Sequence, residues 1–75
     1  MFTASEAKKV IKTEAARLGL KYGKMQGKTQ YFDGSPAVCV TLHDCVPNPL
    51  WEDLRIFARG QKIVVSIYVN GISAR

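Results

Sequence analysis

The dipeptide Asp33-Gly34 sits between two alternating stretches and constrains this chain more than any other feature. The two-residue hairpin loop that Asp-Gly favours needs a positive φ at both positions, which Gly adopts freely and Asp tolerates. Such a loop sets Phe32 opposite Ser35, so the numbers of all later pairs add to 67. Thr29 then faces Val38, Gly27 faces Val40 and Met25 faces Leu42 on one side. Lys28, Gln26 and Lys24 face Cys39, Thr41 and His43 on the other. A slip of one residue would turn Val38, Val40 and Leu42 to the polar side, so turn chemistry and hydrophobic pattern agree on one register. The spacing therefore predicts an antiparallel hairpin with strands over 24–32 and about 37–43.

The elements on either side follow from local signals. Thr3 and Glu6 have capping-box spacing, Ala7, Ile11, Ala15 and Leu18 recur on one helical face, and Gly19 supplies a stop. After the hairpin, Val46-Pro47-Asn48-Pro49 predicts a second helix with Asn48 as its cap and Pro49 in its first turn. Leu50, Leu54, Phe57 and Ala58 form its expected buried stripe, and Gly60 ends it. A third strand, Ile63 to Val69, turns Ile63, Val65, Ile67 and Val69 inward. Asn70-Gly71 closes that strand, and the last four residues are expected to fray.

The expected fold is an α+β two-layer sandwich in the order α-β-β-α-β. A three-stranded mixed sheet carries both helices on its apolar face, because each helix has one stripe to bury. A right-handed crossover through the second helix makes the second and third strands parallel. The third strand is expected beside the first, in a 2-1-3 order. Seventy-five residues supply one small domain, 1–75. A hydrophobic fraction of 47% with 23% charged residues is a globular composition rather than that of a disordered tail. Neither a membrane span nor a secretory leader is expected, since apolar runs are short and the start lacks a basic stretch followed by an apolar one.

Charge is segregated along the chain. Residues 1–32 carry Lys8, Lys9, Lys12, Arg17, Lys21, Lys24 and Lys28 against Glu6 and Glu14, which accounts for the whole net charge of +5. Residues 33–75 balance to zero. A local positive field of this kind favours an anionic partner, either nucleic acid or an acidic protein surface. The competing explanation is that exposed lysines keep a small domain soluble.

Cys39 and Cys45 stand six residues apart in what reads as one strand, about 20 Å at the rise of an extended chain. A disulfide spans no more than about 7 Å between Cα atoms, so free thiols and a cytoplasmic setting are expected. Cys39, His43 and Cys45 share a parity that points to the uncovered sheet face. Cys39 and His43 lie about 13 Å apart along a strand, too far for one metal ion; His43 and Cys45 could share one, but the chain offers no further His or Cys ligand. His43 and Cys45 would need a local bend to form a nucleophilic pair, and motifs of phosphate-cradling or metal-hydrolase type are absent. Catalytic residues, metals and cofactors are therefore not assigned.

What remains is a binding face. It carries Lys24, Gln26, Lys28, Cys39, Thr41, His43, Val64, Ser66 and Tyr68, with Phe32 as a second aromatic. Sheets that take single-stranded nucleic acid set aromatics for stacking beside cations for phosphates. The leading expectation is thus a small non-enzymatic module contacting nucleic acid with low sequence specificity through Lys8, Lys9, Lys12, Lys24, Lys28 and Tyr68. The alternative is a protein-interaction module or modulator of a larger enzyme, with self-association into a homodimer through the open sheet face as one form of it. It would use Trp51, Ile56, Thr41 and Val64, Trp being a frequent interface anchor. The competing reading of Trp51 is a side chain partly buried at the helix–sheet boundary by the Pro47–Pro49 segment.

Overall fold

The computed structural model describes residues 2–69 and the backbone of the short strand 72–73. Helix α1 spans Ala4–Arg17, strands β1 and β2 span Lys24–Phe32 and Ser35–His43, helix α2 spans Trp51–Gly60, and β3 spans Ile63–Val69. A two-residue strand β4, Ile72–Ser73, pairs antiparallel with β3. The chain is an α+β sandwich in the expected order, with β4 added where fraying was expected. Asn70, Gly71, Ala74 and Arg75 lie outside the described residues.

Local chemistry explains the element ends. At α1, the Thr3 hydroxyl accepts the Glu6 N–H while the Glu6 carboxylate accepts the Thr3 N–H at 2.8 Å, a complete capping box. At its other end Gly19 takes φ +73°, and the N–H groups of Leu20 and Gly19 bond to the carbonyls of Ala15 and Ala16. These two bonds form a Schellman motif that satisfies the helix's last carbonyls and tucks Leu20 into the core. The β1–β2 pairing runs from Lys24↔His43 to Phe32↔Ser35, all nine pairs adding to 67, with Asp33 and Gly34 both at positive φ.

The strand order corrects the 2-1-3 expectation. β3 lies beside β2, parallel to it from Val38↔Ile63 to Leu42↔Ile67, and β1 is left at the edge. The reason is occupancy of the layer above. α1 lies over β1 and β2 and comes so close at Gly27 that an added Cβ would stand 2.8 Å from Lys8 Cγ. The space over β1 is therefore filled, and α2 packs on β3 at the other side. The two-residue link Gln61-Lys62 then returns the chain to the sheet directly under α2.

The second helix also starts differently from the expectation. Pro49 and Leu50 form a turn, and the helix proper begins at Trp51. Asn48 still accepts a backbone hydrogen bond, from the Leu50 N–H at 2.9 Å, but this closes the turn and does not cap the helix. The buried stripe consequently runs through Trp51, Leu54 and Ala58, with Phe57 half-buried, while Leu50 is 36% exposed. Between the layers, Ile11, Val38, Val40, Leu42, Leu54 and Ile67 are fully buried.

Candidate functional site

The helices leave one sheet face uncovered, and its residues fall into rows across β1, β2 and β3. Lys28, Cys39 and Val64 make one row, and Gln26, Thr41 and Ser66 the next. Lys24 and His43 begin a third, which Tyr68 completes by stacking on His43 with ring centroids 5.3 Å apart and planes 11° from parallel. Two side-chain bonds run diagonally. His43 Nε2 lies 3.2 Å from Gln26 Oε1, and the Cys39 thiol donates to Gln30 Oε1 at 3.6 Å. These contacts hold polar groups upright on a half-exposed surface, where each bond is worth about 1 kcal/mol net.

Charge collects at the β1 edge. Lys24 and Lys28 are exposed on the open face of β1. On the other side of the same strand, the Lys8 stem lies over Gln26's neighbour Gly27. Lys8, Lys9 and Lys12 line a groove of about 340 Å³ with Tyr22 and Met25. Lys8 and Lys12 flank β1 by their helical phase, whereas Lys9 also lines the outer furrow between α1 and α2 with Val10, Thr13, Glu14 and Phe57. Of the residues singled out from the sequence, Lys8, Lys12, Lys24 and Lys28 thus gather about one strand. Tyr68 stands on the same face as Lys24, about 10 Å away across two strand spacings. Strands β1–β3 contain no acidic residue; Asp33 marks the hairpin turn and Asp44 the end of β2, beside Gly23.

Trp51 does not belong to an exposed surface, contrary to the interface expectation. It is only 5% exposed, and its indole N–H donates to the Val46 carbonyl at 2.8 Å, which anchors the Pro-containing segment to α2. Ile56 on the same helix is exposed. Thr41 lies half-buried in the middle of the open face, and Val64 is 48% exposed at the β3 side.

Cys45 requires a second correction. It was expected on the open face with Cys39 and His43, but β2 ends at His43 and Asp44 takes φ +55°. That left-handed residue breaks the alternation, so Cys45 enters the core while its N–H donates to the Tyr68 carbonyl. Burial pushes the Cys45 thiol up from its ordinary value, outweighing the separate, opposing hydrogen bond that the Tyr68 backbone offers the sulfur. Both thiols are free. Among the described residues, no group of three or more His, Cys, Asp or Glu side chains is arranged to hold a metal ion.

The hairpin tip was underrated by sequence reasoning. β3 pairs with β2 only from Val38 onward, so residues 30–32 and 35–37 overhang the third strand as a two-stranded ribbon. Tyr31 is 73% exposed and Phe32 52% exposed there. Tyr31 has the parity of the helix-facing side, yet it outruns the helices; a count of strand length against helix length carries that signal.

Another concavity, about 750 Å³, opens between Phe2, Pro36, Ala37, Gly60 and Gln61. Its charged lining is Glu6, already engaged in the capping box, and Lys62. Among the described residues no helix is long and apolar enough to cross a membrane. Comparison of the chain with family models, curated proteins and solved structures finds no match.

Proposed function

We propose that this chain is a small non-enzymatic binding module that contacts nucleic acid chiefly through charge, with low sequence specificity. The observation that supports this reading is the placement of exposed lysines on both sides of edge strand β1, Lys24 and Lys28 on one and Lys8 and Lys12 on the other. A polyanion running along that edge meets cations from two directions, and β1 itself carries no carboxylate to oppose it. Lysines on an edge strand also discourage sheet-to-sheet pairing, so the same residues keep the edge free for a ligand. Two free thiols suit a reducing, cytoplasmic setting.

Titration of single- and double-stranded oligonucleotides over a range of salt tests the proposal. Two lysine–phosphate contacts to a single strand, at Lys24 and Lys28, give a slope of log K against log salt of about −1.4, to which Lys8 and Lys12 add through their field. Absence of binding at low salt, or binding indifferent to salt, rejects it. Exposed Val64 and Phe32 favour a second reading, self-association or protein contact through the open face. Sedimentation at several concentrations distinguishes the two: a dimer dispersed by Val64→Asp supports the second.

A further inference from the structure

We infer that the nucleic acid taken by this face is single-stranded, with unpaired bases stacked at both ends of the lysine path along β1. This rests on the polyanion-binding reading above and narrows it to one form of nucleic acid. Along β1 the open-face positions run Lys24, Gln26, Lys28, Gln30, Phe32. The His43–Tyr68 stack stands level with Lys24, at one end of this series. Phe32 stands at the other, 52% exposed on the overhanging ribbon. Eight residues of strand separate the two stations, about 26 Å.

The chemistry of the two ends selects the ligand. The near-parallel His43 and Tyr68 rings already form a two-ring stack, and a planar base extends such a stack by one member. Phe32 offers an apolar ring with no hydrogen-bonding group, useful to a base face and of no use to a phosphate. Bases inside a duplex have both faces covered by their neighbours, so neither station can engage them without unstacking. A flexible strand can lay its phosphates beside Lys24 and Lys28 and turn a base onto each station. This combination of a cationic track with aromatic platforms is the general design of sequence-tolerant single-strand binding.

The test compares a labelled single-stranded oligonucleotide, its duplex, and an abasic strand of equal length by fluorescence anisotropy at low salt. The single strand should bind tightest. Phe32→Ala and Tyr68→Ala should each weaken it roughly 5- to 150-fold, as expected for loss of one stacked base. Both variants should leave abasic binding unchanged. Phe32 lies on the exposed tip, so its variant is not expected to perturb folding; the fluorescence of buried Trp51 checks that both variants are native. Equal affinity for all three ligands, or wild-type affinity of both variants for the single strand, overturns the inference and leaves the electrostatic reading standing. Failure of all three to bind overturns both.

Discussion

Gly27 and Lys8 meet where α1 crosses β1, and there is no room between them for a methyl group. A Cβ on Gly27 would lie 2.8 Å from Lys8 Cγ and 3.1 Å from the Ala4 carbonyl oxygen. The lysine stem can swing aside, but the carbonyl belongs to the helix backbone and moves only if α1 lifts. Gly27→Ala should therefore destabilise the fold by about 1–3 kcal/mol, despite the entropy that alanine removes from the unfolded chain. Urea unfolding followed by circular dichroism measures this. Unchanged stability would mean that the helix rides higher over β1 than the structure has it.

The phase of α2 yields a contrast among three neighbouring residues. Leu54→Ala opens a cavity in a fully buried position and should cost about 2–5 kcal/mol. Leu50→Ala removes a side chain that is 36% exposed and should cost well under half of that. Trp51→Phe keeps most of the packing but strands the Val46 carbonyl, for about 1 kcal/mol or more. Equal costs for Leu50→Ala and Leu54→Ala would restore the stripe read from periodicity alone.

That stripe shows where sequence reasoning stops. A period of 3.6 residues accommodates Leu50-Leu54-Phe57 or Trp51-Leu54-Ala58 equally well, and the choice depends on the indole N–H finding the Val46 carbonyl five residues back. Strand order was hidden for a similar reason, since it depends on how α1 and α2 divide the sheet, α1 over β1 and β2 and α2 over β3, through contacts such as Gly27 with Lys8, 19 residues apart in the chain. Cys45 was misplaced because one left-handed residue, Asp44, ends β2 and turns the next side chain from the open face into the core. The hairpin register was legible because it needs only local information: a turn that admits positive φ at Asp33 and Gly34, and a strand whose apolar residues must all face one way. The rows of the open face follow from that register for β1 and β2, and only the neighbour of β2 had to be supplied by the structure.

The hairpin turn can be tested by itself. Gly34 has φ +80° and open space around its Cα, so a side chain there meets no neighbour and only backbone strain opposes it. Gly34→Ala should cost about 1–2 kcal/mol. Asp33→Asn should be nearly neutral, because both residues tolerate the left-handed region and φ is +51° here. Thermal melts of the two variants give the comparison, and a neutral Gly34→Ala would exclude this turn geometry.

The buried thiol of Cys45 makes stability fall at alkaline pH. Its pKa is raised in the folded state by burial, so in the window between the unfolded and folded values the unfolded chain holds fewer protons. Stability from this group is complete below the unfolded thiol's value, about 8.5, and declines as pH rises from there toward the folded value. The measurement is a difference: urea midpoints from neutral to alkaline pH for wild type and Cys45→Ala. The wild type should show the steeper decline. Parallel curves would mean that the Cys45 thiolate is as well solvated folded as unfolded.

Lysines on the two sides of β1 should be separable by salt. If phosphates run along the open face, Lys24→Gln with Lys28→Gln removes two contacts and lowers the salt slope by about 1.4 for a single strand. Lys8→Gln with Lys12→Gln acts from the far side of the same strand, where the Lys8 stem is committed to covering Gly27. That pair should weaken binding less, through the long-range field rather than through contact, and should alter the slope by less than one contact's share. The reverse ranking would move the polyanion from the sheet face to the groove formed by Lys8, Lys9, Lys12, Tyr22 and Met25. The stacking stations at Tyr68 and Phe32 would then lie on the wrong side of the sheet to touch it.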